Sequence, residues 1–168
     1  FDPLKPLLGE AINGDWTLHL VDKASADVGR LLYWHLDLEA TAAAGGEIKE
    51  HAEPKLAIPD KDPRGITSTI SLSQGGNVKE LQISVDIDHT YRGDLQVFLV
   101  SPSAQQVLLH DQQGAWRNDI KRSYDPSTTP ALEEIIGTSM TGDWQLRVRD
   151  LARRDTGRLN AWTLNIIY

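Results

Sequence analysis

The chain has 168 residues, 40% of them hydrophobic and 24% charged, with no apolar run of membrane-spanning length, so a transmembrane or wholly disordered reading is excluded. A formal charge of −7 with no Lys/Arg cluster would repel a phosphate backbone, which argues against a nucleic-acid partner. The absence of cysteine removes disulfides, thiol catalysis and cysteine zinc sites together, without fixing the compartment.

Phe1-Asp2-Pro3 lacks the basic and then apolar lead of a signal peptide, and none is expected in the chain. Residues 1–40 align without a gap to 129–168 at an offset of 128, with about fourteen identities in forty. Gly14-Asp15-Trp16-Thr17-Leu18 returns as Gly142-Asp143-Trp144-Gln145-Leu146, and Gly29-Arg30-Leu31 as Gly157-Arg158-Leu159. Asp22, Asp27, Trp34 and Leu36 pair with Asp150, Asp155, Trp162 and Leu164. The expected organisation is the C-terminal third of a first copy over 1–40, a linker over 41–57 that is small and then charged, and a complete copy over 58–168. Trp16, Leu18, Leu20, Trp34, Leu36 and Leu38 are expected to face inward, which would call for cover by a partner fragment, a homodimer or a domain-swapped assembly.

In the complete copy, Ile66 to Leu72 alternates as a strand and Gln74-Gly75-Gly76-Asn77 supplies a turn. From 80 to 88, Leu81, Ile83, Val85 and Ile87 face one way and Glu80, Gln82, Ser84, Asp86 and Asp88 the other, the period of a half-buried antiparallel strand. Leu95, Val97 and Leu99 repeat the pattern after the Tyr91-Arg92-Gly93-Asp94 turn, and a shorter strand covers Val107 to His110. Residues 111–128 read as one long loop. Thr129 to Gly137 predicts a short helix with a capping hydroxyl, proline in its first position and a terminal glycine, weakened by Pro6 in the first copy. Two closing strands follow, Asp143 to Asp150 with Trp144, Leu146 and Val148 inward, and Leu159 to Tyr168 with Trp162, Leu164 and Ile166 inward. The fold class is all-β, a jelly-roll sandwich with one short helix, preceded by the partial copy.

His89-Thr90-Tyr91-Arg92-Gly93-Asp94-Leu95, Leu99-Val100-Ser101-Pro102-Ser103, Gly142-Asp143-Trp144-Gln145-Leu146 and Gly157-Arg158-Leu159-Asn160-Ala161-Trp162-Thr163-Leu164 resemble the signature blocks of the P domain. This domain, also called homo B, belongs to kexin- and furin-like proprotein convertases and their bacterial relatives. The blocks stand in the right order over 66–168 and again over 1–40, and Asp150-Leu151-Ala152-Arg153 is similar to the bacterial secreted branch. Ala104 departs from the glycine usual after Ser101-Pro102-Ser103, which touches only the shape of one hairpin. The resemblance implies a jelly roll downstream of a subtilisin-like catalytic domain, packed on it, needed for its folding and tuning its calcium and pH dependence. It also implies a secreted, extracellular, bacterial setting.

Gly137-Thr138-Ser139-Met140 resembles the nucleophile segment of subtilisin-like proteases, but the companion histidine and aspartate segments are missing and the first copy has no serine there. Ser139 therefore reads as closing the short helix, and this chain is expected to be non-catalytic. The five histidines make no zinc spacing, and His89 reads as a structural hydrogen-bonding residue. Arg92-Gly93-Asp94 spells an integrin tripeptide, but Asp94 is expected to accept backbone N–H bonds in its turn. Asp111, Asp119 and Asp125 crowd the long loop and are either calcium ligands, making calcium the candidate cofactor, or solvated charges. Asp15 and Asp143 are expected to hold the turn before a core tryptophan, Trp144 and Trp162 to be core, and Trp116 to mark a contact surface. The expected function is that of an accessory domain stabilising or targeting a subtilisin-like serine endopeptidase. The alternative is a stand-alone jelly-roll module for carbohydrate or a protein surface.

Overall fold

The computed structural model describes residues 16–23, 25–26, 28–37 and 45–168, which fall into two compact units, Phe1–Ala42 and Ala43–Tyr168. The second holds nine strands: β1 Glu47–Ala52, β2 Leu56–Ile58, β3 Ile66–Leu72, β4 Glu80–His89, β5 Leu95–Val100, β6 Gln106–Asp111, β7 Ile120–Tyr124, β8 Gly142–Asp150 and β9 Gly157–Ile167. One sheet has the order β1-β9-β4-β7 with β2 also on β9, and the other β3-β8-β5-β6, all pairs antiparallel. From β3 to β9 the chain passes repeatedly between the sheets, the jelly-roll way of closing a sandwich. Among the described residues no helix is long and apolar enough to cross a membrane.

Period-two alternation builds the core. Leu81, Ile83, Val85 and Ile87 of β4 and Trp144, Leu146 and Val148 of β8 are buried, as are Trp162, Leu164 and Ile166 of β9. Two polar bonds position the tryptophans inside: Trp144 Nε1–H donates to Met140 O at 2.9 Å, and Trp162 Nε1–H crosses between the sheets to Ser68 Oγ at 2.9 Å. The alternation in β9 breaks once, where Asp86 pairs with Ala161 and Ile87 with Leu159. The extra residue is Asn160, so Leu159 and Trp162, three apart, both point inward. Asn160 Nδ2–H donates to Asp86 Oδ1 at 3.2 Å and holds the bulge.

Three expectations need correction. The linker expected over 41–57 contains β1 and the first two residues of β2, both strands paired to β9; a charged edge strand has the composition of a linker because charge keeps its open side from pairing. The loop expected over 111–128 contains β7, apolar only at its two ends, Ile120 and Tyr124, with Lys121, Arg122 and Ser123 between. The helix expected over 129–137 is a 3-10 helix, Pro130–Ile135, and Thr129 makes no side-chain cap. Its entry is held by Asp125, whose carbonyl accepts from Thr129 N–H at 2.8 Å.

In the first unit the described residues contain no strand. The inward row expected there is not inward: Leu18, Leu20, Trp34 and Leu36 are exposed, Trp16 is half-buried, and Leu38 lies outside the described residues.

Candidate functional site

The inward rows of β4 and β8 do not stop at their apolar residues. By parity, β4 ends inward on His89 and β8 on Asp150, and the two meet across the sandwich with both side chains fully buried. His89 Nε2 lies 3.2 Å from Asp150 Oδ2, and His89 Nδ1 lies 2.9 Å from Tyr91 O and 3.1 Å from Tyr91 N. Asp150 Oδ1 accepts from Ala152 N–H at 2.9 Å, so both carboxylate oxygens are satisfied. Gly157 faces His89 in the β4–β9 register, and a Cβ there would overlap the imidazole and lie 2.6 Å from Asp88 O; only a glycine admits the ring.

Around this pair the Tyr91–Asp94 turn is fixed from several sides. Asp94 N–H donates to Tyr91 O and Asp94 O accepts from Leu151 N–H at 2.9 Å. The expectation that the Asp94 side chain would accept turn N–H bonds finds no such bond among the described residues; its carboxyl is buried beside Asp155. Burial, then the charges of Asp150 and Asp155, push the Asp94 pKa up. Asp155 accepts from Thr90 Oγ1–H at 2.7 Å, and Thr90 Oγ1 accepts from Thr156 N–H at 3.3 Å. A buried Asp94 cannot present the Arg92-Gly93-Asp94 tripeptide to a receptor. Asp150, Asp155 and Thr90 carry this network and were not singled out as site residues in the sequence, although the parity of the β8 row already pointed Asp150 inward.

The same turn positions Trp116. Gly93 N–H donates to Ala115 O at 3.2 Å and Arg92 N–H to Arg117 O at 2.9 Å, so the loop is tied immediately before and after the tryptophan. Gly93 is required by the close approach, since a Cβ would stand 2.9 Å from Ala115 Cα. Trp116 itself is 76% exposed. The loop thus holds a large amphipathic side chain outward on a fixed backbone, the form of a contact anchor.

The aspartates expected to share calcium are separated. Asp111 lies on β6 of the smaller sheet and accepts from Gln96 Nε2–H at 2.7 Å. Asp119 and Asp125 flank β7 at opposite ends, about 20 Å apart at ~3.3 Å per residue, far beyond oxygens that must all stand within ~2.6 Å of one ion. Asp119 clamps the end of β4, accepting from His89 N–H at 2.9 Å while its own N–H donates to His89 O. Asp125 accepts from Ser127 Oγ–H and Thr128 N–H, bonds that hold its pKa down. These three therefore do not fit a shared calcium, and among the described residues no group of three His, Asp or Glu side chains stands ready to hold a metal.

Asp143 likewise differs from its expected role: it is exposed and accepts from Ser71 Oγ–H of β3 at 2.6 Å, pinning the β3–β8 register. Ser139 is exposed at the entry to β8, and its Oγ accepts from Thr141 N–H at 3.3 Å. On the outer face of the larger sheet, His51, Thr163, Ser84 and Ser123 form one transverse row in register. His51 Nδ1 is 2.9 Å from Thr163 Oγ1 and Ser84 Oγ is 2.8 Å from Ser123 Oγ, along a groove of about 370 Å³.

Comparison with known proteins places this geometry. The model of the proprotein convertase P-domain matches residues 78–166. The chain is 36% identical over 112 residues to the calcium-dependent protease of Trichormus variabilis, covering 65% of this chain and 17% of that protein. It is 30% identical over 142 residues to leupeptin-inactivating enzyme 1 of Streptomyces exfoliatus, covering 83% of this chain and 30% of the relative. The chain thus spans under a third of these relatives' lengths. In fold it is similar to the serine protease of Aeromonas sobria in complex with its chaperone, with a TM-score of 0.59 and 20% identity over 77% of this chain and 28% of that one.

Proposed function

Because the chain belongs to the proprotein convertase P-domain family, we propose that it is a non-catalytic accessory domain of a secreted bacterial subtilisin-like serine endopeptidase. In this reading the domain stabilises the catalytic domain by packing against it through Trp116. Support comes from the protease names of the relatives, and above all from an exposed tryptophan on a loop tied at both flanking carbonyls. A fixed loop loses little conformational entropy on docking, and tryptophan is the side chain most enriched at contact hot spots. The His89–Asp150 pair and the Asp94–Asp155 contact beneath the turn serve this surface by fixing the backbone that carries it.

The test is the protease polypeptide that contains this chain. Trp116→Ala should shorten the thermal half-life of its peptidase activity at least ~3-fold while the melting temperature of the isolated chain moves by under ~1 °C. An unchanged half-life refutes docking through Trp116. The rival reading, a carbohydrate module, draws on the hydroxyl row of the larger sheet, but Trp116 does not line that groove, and sugar stacking needs an aromatic face beside the hydrogen-bonding groups.

A further inference from the structure

The open edges of the two sheets meet at one cleft. β7 ends the larger sheet and β6 the smaller, and a cavity of about 150 Å³ between them is lined by Arg122 and Tyr124 of β7, His110 of β6 and Arg92 from the turn before β5. Arg122 pairs with the buried Val85, so the parity of β7 sets it on the inward row with Ile120 and Tyr124; on an edge strand that position stays exposed. Arg92 is held beside it. His110 Nε2–H donates to the Arg92 carbonyl at 3.0 Å, and the Arg92 guanidinium lies against Gly114, where a Cβ would overlap it.

Two guanidiniums thus share one cleft, and among the described residues neither has an ion pair or a side-chain hydrogen bond. Arg122 lies over the Tyr124 ring, 5.1 Å from its centroid, a contact that uses the face of the guanidinium and leaves its N–H fork free. With 24 acidic residues to 17 basic ones, carboxylates are plentiful, and Lys121, also at the cleft, finds Asp86 and Asp88 at 3.5 and 3.2 Å. Arg92 Nε and the hydroxyl of Tyr124, a residue 1% exposed, are both buried without a hydrogen-bond partner, although buried donors are nearly always satisfied. Burial, and after it the charges of Arg92 and Arg122, hold the His110 pKa down against the Arg92 carbonyl and Asp111, which raise it, so at neutral pH the ring adds no third charge. We propose that this cleft is an oxyanion site that takes one carboxylate group in the forks of Arg92 and Arg122, with the Tyr124 hydroxyl as a further donor in its wall. The planar fork matches a carboxylate edge, and an acidic side chain of another polypeptide offers the same chemistry as a free small carboxylate. This rests on the geometry of β6 and β7 and not on the docking role of Trp116.

The experiment is nuclear magnetic resonance on the full chain, with sodium acetate replacing sodium chloride at constant ionic strength. The Nε–H signals of Arg92 and Arg122 should shift and saturate, and the His110 pKa should rise as the bound anion offsets the two guanidiniums. Arg92→Gln and Arg122→Gln should each weaken acetate at least ~10-fold, the loss of one charge-assisted hydrogen bond. Arg122→Lys, which keeps the charge and the exposed strand position but not the fork, should weaken it as well, while Lys121→Gln should stay within ~2-fold of the unaltered chain. A drift that never saturates, or a saturable shift that survives the changes at Arg92 and Arg122, is adventitious surface binding and overturns the proposal. The protease polypeptide that contains this chain separates the two sources. Arginine signals already at their acetate-saturated positions before acetate is added would support the site with a side chain of that polypeptide in it, and signals that titrate as in the chain alone would support a free carboxylate.

Discussion

Removing the His89 imidazole would leave Asp150 fully buried with Ala152 N–H as its remaining hydrogen bond. Leaving a buried carboxyl short of a hydrogen-bond partner costs about 1–3 kcal/mol, and more for a charged group, a sizeable share of the ~5–15 kcal/mol that holds a domain folded. His89→Ala and Asp150→Ala should each lose stability of that order. The double variant His89→Leu/Asp150→Leu should cost much less than the sum, because neither partner is left to bury a polar group alone. Urea denaturation followed by circular dichroism gives the four corners of the cycle, with Leu singles alongside and a constant denaturant slope as the check on comparable unfolding. Coupling near zero, or a loss below ~1 kcal/mol for His89→Ala, would show that the two side chains act separately and that the network does not fix the Trp116 turn.

Two further outcomes follow from burial and charge. Trp144→Ala should cost ~3–5 kcal/mol through lost burial and a cavity, whereas Gln145→Ala, half-exposed on the other face of β8, should cost well under ~1 kcal/mol; equal effects in thermal melts would refute the strand register. Asp94 has a raised folded-state pKa, so between its unfolded and folded values the native state binds more protons and stability falls as pH rises through that window. Asp94→Asn should therefore raise the melting temperature at pH 7 and lose this advantage below about pH 4, where the native carboxyl is already protonated; a variant equally stabilising at pH 3 and pH 7 would contradict the electrostatic cause.

Because the loop is tied through backbone carbonyls of Ala115 and Arg117, side-chain substitutions at those two positions should be tolerated better than any change at Gly93, where the backbone itself makes the approach.

Residues 66–168 show how far one-dimensional information reaches. The strands β3, β4, β5, β8 and β9 are legible because alternation is a property of neighbouring residues, and one buried face demands it whatever the partner strand. Trp162 is placed in a strand by its alternation, whereas Gly157 lies before the strand expected from Leu159, and the bulge at Asn160 is not legible, since an extra residue shows only against a partner's register. β1 and β7 have the composition of linker and loop, and became strands because β9 and β4 offered them open edges. Asp111, Asp119 and Asp125 lie within fifteen residues of sequence, yet an extended strand sets two of them at opposite ends and a change of sheet removes the third. Conversely His89 and Asp150, 61 residues apart, meet because two inward rows from different sheets end at the same edge of the sandwich. Which side chains share a face follows from the local chain; which faces share a space is decided by how the sheets pack, where burial of the apolar rows outweighs any single polar contact.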